Sequence, residues 1–491
     1  MDQLTQIFRY VPLDVVQFYS LAPIFIMAIM AVVVLIVSTG SKKMAANLSL
    51  ITLWLVMGLL AKQIYLPTAN ILGDILIFNP LSRALSIALL GMGMFSVFLV
   101  NGQVQKNDSI LGEIYPLILF SLTGMLLLAA TNHLIFTFIS IEIMSFAVYV
   151  LVGLNRTAKH AAEASMKYFI LGGVASALFL YGASLVYGAT GTFSLSQISQ
   201  LVLAETITSK PLLTVGGVLM LAGLLFKIGA FPFHLWVPDV YQGASHSVTA
   251  FMSSAVKFAA FIPLIKISQQ LFFTIQGDAG NVFYIMLWVT AVFTMVFANI
   301  AALGQFELKR LLAYSSIAHT GYLLTGVVVL GTNPNLVVPL YIYLAFYALS
   351  QLGAFAVVVM LSEKNQKDIS LEDLSGLGER YPVLSLCLTV FIFAMAGIPM
   401  TAGFIGKYFL FNSVVTQGET LLIVIAVLSS LISMYYYLRV IVFMFMKEEK
   451  RAHVLEFSLG PVLVVAMMVI MTLQFGIFPR SVMSFFAKVI R

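Results

Sequence analysis

VLMLAGLLFKIGAFPF, residues 218–233, sets a lysine, Lys227, deep in an apolar run and follows it with Pro232. Three more stretches bury a charge in the same way: Glu142 in IFTFISIEIMSFAVYVLVG (135–153), Lys257 in VTAFMSSAVKFAAFIPL (248–264) and Lys407 in GIPMTAGFIGKYFLF (397–411). A charge at the centre of a bilayer costs roughly 2.5 to 3.5 kcal/mol even on the mildest insertion scale. It is kept only where it has a partner, water or a task. One carboxylate and three lysines at that depth suggest a buried ion or proton path.

Composition puts these stretches in a membrane. The chain is 61% hydrophobic and 9% charged, with a mean hydropathy of +1.02, more apolar surface than a soluble domain can hide. Apolar runs repeat at about 20 residues, the length of helix that crosses a bilayer, and not as the short alternating strands of a barrel. The fold expected is all-α, with about fourteen spans near 20–38, 47–66, 81–100, 114–131, 134–154, 166–188, 212–237, 246–270, 282–303, 311–331, 337–361, 383–412, 420–446 and 458–478. Between them, SLSQISQLVLAE (194–205) aligns Leu195, Ile198, Leu201 and Val202 on one face of a short surface helix.

Basic residues orient the chain. Odd-numbered loops carry Lys42, Lys43, Lys106, Arg156, Lys159, Lys309, Arg310, Lys364, Lys367, Arg380, Lys447, Lys450 and Arg451. Even-numbered loops carry Lys210, with Lys266 at the end of a span. That asymmetry predicts odd loops in the cytoplasm and both termini on the opposite side of a bacterial inner membrane. No basic n-region with a cleavage site opens the chain, so the first span reads as a permanent helix. The single cysteine, Cys387, forms no internal disulfide. No CxxC pair, Walker loop or complete GxGxxG appears, since Gly91 and Gly93 lack a third glycine. The net charge of +6 belongs to loops and not to a nucleic-acid surface. No cofactor or metal is expected in this chain.

Two spans break where the charges lie. Pro232 offers no N–H to the carbonyl of Ile228, Pro238 repeats the defect, and Pro399 does the same to Met395. Freed backbone at that depth is tolerated only beside protein or a watered cavity, the pattern of discontinuous transporter helices. The broken helices, seventh and twelfth, stand five spans apart, an odd number, which predicts inverted repeats with the site between them. Lys227 and Lys407 are 180 positions apart. At the same offset Glu142 and Lys257 fall on Tyr322 and Tyr437, with His319 and Arg439 close by. The expected organisation is 1–110 (helices 1–3), 111–272 (first five-helix repeat), 273–447 (second, inverted repeat) and 448–491 (helix 14).

KYFILGGVASALFLYGASLVYGATG (167–191), GLLFKIGAFPFHLWVPDVYQGASHSVTAFMSSAVKFAA (223–260) and LSGLGERYP (374–382) leading to AGIPMTAGFIGKYFLF (396–411) resemble the antiporter-like subunits of proton-pumping NADH:quinone oxidoreductase, respiratory complex I, and within them subunit N. The resemblance implies that Glu142 pairs with Lys227, that Lys257 continues the path, that Lys407 lies toward its exit, and that Lys167 of the KYF motif is a further polar position. It also implies antiporter-like sibling subunits as partners in the lipid bilayer, with NADH, FMN, iron–sulfur clusters and quinone handled by partner subunits. The M sibling carries glutamate where this chain has Lys407, and the L sibling continues into a long lateral helix.

The physical reading is a switch. Held against Glu142, Lys227 keeps its proton; released, it passes the proton through water toward Lys257. Plainer readings exist for each group: a static ion pair for Glu142 and Lys227, a structural lysine at Lys257 with Ser253 one turn earlier, and snorkelling for Lys407. Lys62, Arg83 and Arg439 read as snorkelling or structural. His234, beyond Pro232, and His319, between Lys257 and Lys407, are candidate relays. Two other classes compete with the complex I reading. An Mrp-type Na+/H+ antiporter subunit shares the charge pattern, and a membrane haem protein would need His234 and His319 to face one another.

Overall fold

The computed structural model describes residues 15–64, 66–106, 111–155, 160–275, 277–331, 333–362, 368–448 and 457–480. Arg156, Lys159, Lys364, Lys367, Lys450 and Arg451, on which part of the orientation rests, lie outside the described residues, as do both chain ends.

The chain is a bundle of apolar helices. In order they are α1 (Val15–Ser38), α2 (Lys42–Gln63), α3 (Pro80–Lys106), α4 (Ile114–Ala130), α5 (Leu134–Gly153), α6 (Ala161–Thr190), α7 (Leu195–Leu203), α8 (Lys210–Ile228), α9 (Trp236–Gly243) and α10 (His246–Phe272). There follow α11 (Asp278–Leu303), α12 (Leu308–Val328), α13 (Val337–Leu361), α14 (Leu377–Arg380), α15 (Pro382–Ala396), α16 (Ala402–Val415), α17 (Thr420–Met446) and α18 (Leu459–Ile477). Among the described residues twelve helices are long and apolar enough to cross a membrane, or thirteen if α15 and the bent segment before it count as one. Every expected span coincides with a helix or a broken pair. The shortfall from fourteen comes from α4, which is only 17 residues long, and from the expected span 383–412, which is split into α15 and α16. A hairpin of Ala69–Ile71 and Leu76–Phe78 joins α2 to α3, a small exception to the all-α expectation.

Burial separates core from rim. The whole apolar stretch of α10 is buried, with 94% of α12 and 89% of α13, against 33% for α1 and α18. The rim helices turn large apolar residues outward, among them Phe25, Ile29, Leu428 and Tyr435, as a lipid-facing surface does. α7 forms as expected, with Leu195, Ile198 and Val202 inward.

Of the two readings open for Arg83, snorkelling or structural, the structure has the second: the side chain is wholly buried. Its guanidinium donates to the carbonyls of Leu66 at 2.6 Å and Pro67 at 3.0 Å, tying down the loop after α2. Lys266 lies at the end of its span, as the sequence reading has it. Its ammonium donates to the carbonyls of Ala129 at 2.8 Å and Thr131 at 2.9 Å, at the negative end of the α4 dipole.

α6 and α8 pack along their length because glycines let the backbones meet. A Cβ at Gly216 would stand 2.7 Å from the Gly182 carbonyl oxygen, and one at Gly223 would stand 2.7 Å from that of Ala175. Gly216→Val should therefore overpack the seam and destabilise the protein by roughly 1 to 3 kcal/mol, read as earlier thermal unfolding of the purified protein. Unfolding at the wild-type temperature would refute the close approach.

The two helix breaks are the feature that positions the site. Both end at a left-handed glycine before the proline is reached, Gly229 at φ 71° and Gly397 at φ 85°. Ala230 N–H bonds Leu225 O at 2.9 Å and Gly229 N–H bonds Phe226 O at 3.0 Å; Ile398 to Phe393 O (2.9 Å) and Gly397 to Ala394 O (3.1 Å) repeat the pattern. These are Schellman ends, which leave the last two carbonyls of each helix without a backbone donor. Proline explains why neither helix resumes, but glycine ends it.

Candidate functional site

The carbonyls left by the second break are Met395 O and Ala396 O, and Lys407 donates to both, at 3.0 and 3.1 Å. Its third bond goes to Ser430 Oγ of α17 at 2.9 Å, and the ammonium lies 5.0 Å from the centre of the Tyr322 ring. At the first break Ile228 O receives the hydroxyl of Thr320 at 3.1 Å. Lys227 stands in the last turn of α8, so both lysines occupy the negative end of a truncated helix.

Lys227 is more closely held by hydroxyls than by its carboxylate. Nζ is 3.1 Å from Ser145 Oγ and 3.1 Å from Tyr149 OH, but 4.0 Å from Glu142 Oε1. Glu142 accepts a short hydrogen bond from Ser176 of α6. A cavity of about 10 Å³, bounded by Ser176, Gly223 and Lys227 among others, has room for about one water-sized sphere. Lys227 is buried and Glu142 keeps 18% of its side chain exposed, so the pair is less enclosed on its acidic side.

Lys257 finds its partner on another helix. Its ammonium donates to the carbonyl and the hydroxyl of Ser316, both at 2.6 Å. Ser253, the companion expected one turn earlier, bonds Ala250 O instead. A π-helical segment, Met252–Val256, immediately precedes Lys257, and nothing in the sequence pattern announced it. Thr320 touches both Ile228 O and Ser316 O, so the Lys227 turn and the Lys257 partner share one hydroxyl.

Beyond Lys257 the polar contacts continue. Tyr347 OH donates to Ser316 Oγ at 2.8 Å, and the Tyr347 ring lies 5.0 Å from that of His319. His319 is buried between the two lysines, within electrostatic reach of both. Its Nδ1 is 2.6 Å from Tyr343 OH and its Nε2 is 3.3 Å from Tyr437 OH. Tyr437 also bonds Ser315, and Tyr322 OH accepts from Asn299 at 3.2 Å. The sequence reading omits Ser316, Tyr322, Tyr343, Tyr347 and Tyr437 from the site. The available signal was hydroxyl spacing, with Tyr343 and Tyr347 one turn apart in an apolar span.

Two sequence candidates lie elsewhere. His234 is half-buried in the loop after the first break and stacks on Phe231 at 5.6 Å; no bond joins it to the lysines among the described contacts. It does not face His319, whose two nitrogens meet tyrosine hydroxyls, so the opposed-histidine geometry of the haem reading is not formed. Lys167 is 43% exposed and pairs with Glu163 at 2.7 Å and Asp239 at 3.1 Å, outside the buried run. Asp239 also meets Arg310 at 3.1 Å. Burial pushes the Asp239 carboxyl up, but Lys167 and Arg310 outweigh it and hold the group below its ordinary range. Gln242 joins Arg310, Glu307 and Asp368, and Lys309 donates to Gln242 O and Ala244 O at 2.7 and 2.8 Å. This cluster ties α9 to α12 and to the segment after α13. Among the described residues no group of three or more His, Cys, Asp or Glu is placed to hold a metal ion.

Known proteins share this architecture. The family described as NADH:quinone oxidoreductase/Mrp antiporter, transmembrane, matches residues 131–433. NADH-quinone oxidoreductase subunit N of Trichlorobacter lovleyi is 39% identical over 447 residues, 90% of each chain, and subunit N 1 of Solibacter usitatus is 34% identical over 97% of each. A chain of Thermus thermophilus respiratory complex I superposes with a TM-score of 0.77 at 32% identity, covering 93% of this chain and 97% of that one. A chain of the Mrp complex from Dietzia gives a TM-score of 0.82 at 18% identity, covering 96% and 97%, a likeness of fold alone. An integral membrane protein with broken helices and internal lysines, similar over nearly its full length to these relatives, this chain belongs to the family of NADH-quinone oxidoreductase subunit N, the antiporter-like membrane subunits of respiratory complex I.

Proposed function

We propose that this chain carries protons across the bacterial inner membrane along Glu142, Lys227, Lys257, His319 and Lys407, as a subunit of complex I. It has sibling antiporter-like subunits beside it, and NADH, FMN, iron–sulfur clusters and quinone reside in partner subunits. Residues 111–272 and 273–447 act as inverted halves, flanked by 1–110 and 448–491, with both termini on the non-cytoplasmic side. The observation that carries this reading is the buried run of polar groups from Lys257, bonded to Ser316 and through it to Tyr347, to His319 beside the Tyr347 ring and on toward Lys407. Structural lysines need carbonyl partners but no row of hydroxyls between them.

In this scheme Lys227 takes a proton while Glu142 is near, the pair opens, and the proton moves past Thr320 and Ser316 to Lys257. His319, held by two tyrosines, passes it toward Tyr322 and Lys407. Energy comes from the redox subunits of the complex. His234 and Lys167 lie outside the route: Lys167 serves the surface cluster, and His234 packs in the loop.

Lys257→Met tests the scheme. In the assembled complex, NADH-driven proton pumping should fall roughly tenfold or more, the factor that about 1.4 kcal/mol of barrier commands, while the amount of complex in the membrane stays normal. Undiminished pumping would reduce Lys257 to scaffolding and remove the middle of the path.

A further inference from the structure

The half-helix α9 reaches the Lys227 ammonium by two routes that end on the same side chain. Trp236, the first residue of α9, donates its indole N–H to Phe226 O at 3.0 Å, the carbonyl immediately before Lys227. The same indole stacks on Tyr168 of α6, with ring centres 4.4 Å apart and planes at 14°. Tyr168 meets Tyr149 of α5 edge-on at 4.7 Å, and Tyr149 OH is one of the two hydroxyls that hold Lys227. Trp236, Tyr168 and Tyr149 are all buried. Gly172 leaves the space that the Tyr149 hydroxyl occupies, since a Cβ there would collide with it.

The outer end of α9 is gripped as firmly. Asp239 bonds Lys167 on one side and Arg310 on the other, and Gln242 bonds Arg310, Glu307 and Asp368. α9 is therefore a short rigid element with ion pairs to α6 and α12 at its polar end and an aromatic stack at its other. A rigid element packed at both ends passes displacement on; it does not absorb it.

We infer that Trp236 and Tyr149 are positioning residues for Lys227, and that a displacement of α9 relocates the ammonium between Glu142 and the Tyr149–Ser145 hydroxyls. This rests on the proton-path reading and adds to it the element that opens the ion pair. With Tyr149 OH and Ser145 Oγ each at 3.1 Å and Glu142 at 4.0 Å, Lys227 already has a second seat that needs no carboxylate. Moving the indole shifts the Phe226 carbonyl and the Tyr149 ring together.

The test uses the assembled complex in vesicles, measuring protons pumped per NADH oxidised. Tyr149→Phe removes the hydroxyl seat and should lower pumping roughly tenfold, as expected for a hydrogen bond to a charged group. Trp236→Phe removes the N–H and should lower it roughly two- to tenfold. The double variant should be no worse than the poorer single one, because the two act through one link, whereas independent structural roles would add. Tyr168→Leu should reproduce the loss and Tyr168→Phe should restore it, since the ring and not the hydroxyl carries the contact. Additive losses, or wild-type pumping by Tyr149→Phe and Trp236→Phe, would overturn the link. If those two pump normally while Lys257→Met does not, the link alone falls; if Lys257→Met also pumps normally, the path itself falls.

Discussion

Replacing Lys227 with methionine should abolish NADH-driven pumping by the assembled complex and should also reduce the amount assembled. The two effects have different causes. Methionine fills the volume of the stem but leaves Glu142 without its cation, and breaking a buried pair from one side costs roughly 3 to 5 kcal/mol. Glu142 keeps 18% exposure and a bond from Ser176, so the cost here falls toward or below the lower figure. Ser145 and Tyr149 lose an ionic partner but keep each other as near neighbours. Removing both charges should separate the effects. Glu142→Gln with Lys227→Met should recover assembly, because a neutral amide beside an apolar stem leaves no buried charge, yet pumping should stay lost. Quantifying complex in membranes alongside proton uptake by vesicles gives both readings, and restored pumping in the double variant would show the pair to be structural.

Lys407→Met should be the more damaging change to the fold. The ammonium covers the two carbonyls that the Schellman end at Gly397 leaves exposed, and each buried acceptor stripped of its donor costs roughly 1 to 3 kcal/mol. No other hydrogen bond to Ala396 O is described, while the Met395 backbone also meets His319. Lys407→Arg should restore much of the assembly by returning donors to the break. Its permanently charged guanidinium cannot release a proton, so pumping should stay low. Melting of the purified complex and pumping per NADH would check this contrast, and equal pumping by the arginine variant and the wild type would show that Lys407 never gives up its proton.

Much of the fold was legible because membrane helices obey a length rule, and the charges stood out because hydrocarbon penalises them. Glu142, Lys227, Lys257 and Lys407 all come to lie inside the bundle. What the sequence concealed was partnership. Ser316, not Ser253, meets Lys257, since helix neighbours across a bundle leave no local spacing to read. Arg83 reads as either snorkelling or structural from the sequence, and only the loop after α2, folding the Leu66 and Pro67 carbonyls inward to meet it, decides for the second. The breaks were visible as prolines, but the terminating glycines set their position. The inverted repeat was fainter still. Tyr322, 180 positions after Glu142, has its ring 5.0 Å from the Lys407 ammonium.

Lys227 faces a carboxylate, whereas Lys407 faces a phenol ring and carbonyl oxygens. Beside Lys227 a carboxylate can balance an added proton, whereas the described contacts of Lys407 are dipoles and a ring, which fall short of a full counter-ion. A positive charge resting on Lys407 therefore repels the next arriving at Lys257 or His319, and in a low-dielectric bundle that repulsion is weakly screened. In the proposed path each proton would therefore have to leave Lys407 before another advanced, so that delivery would proceed one at a time.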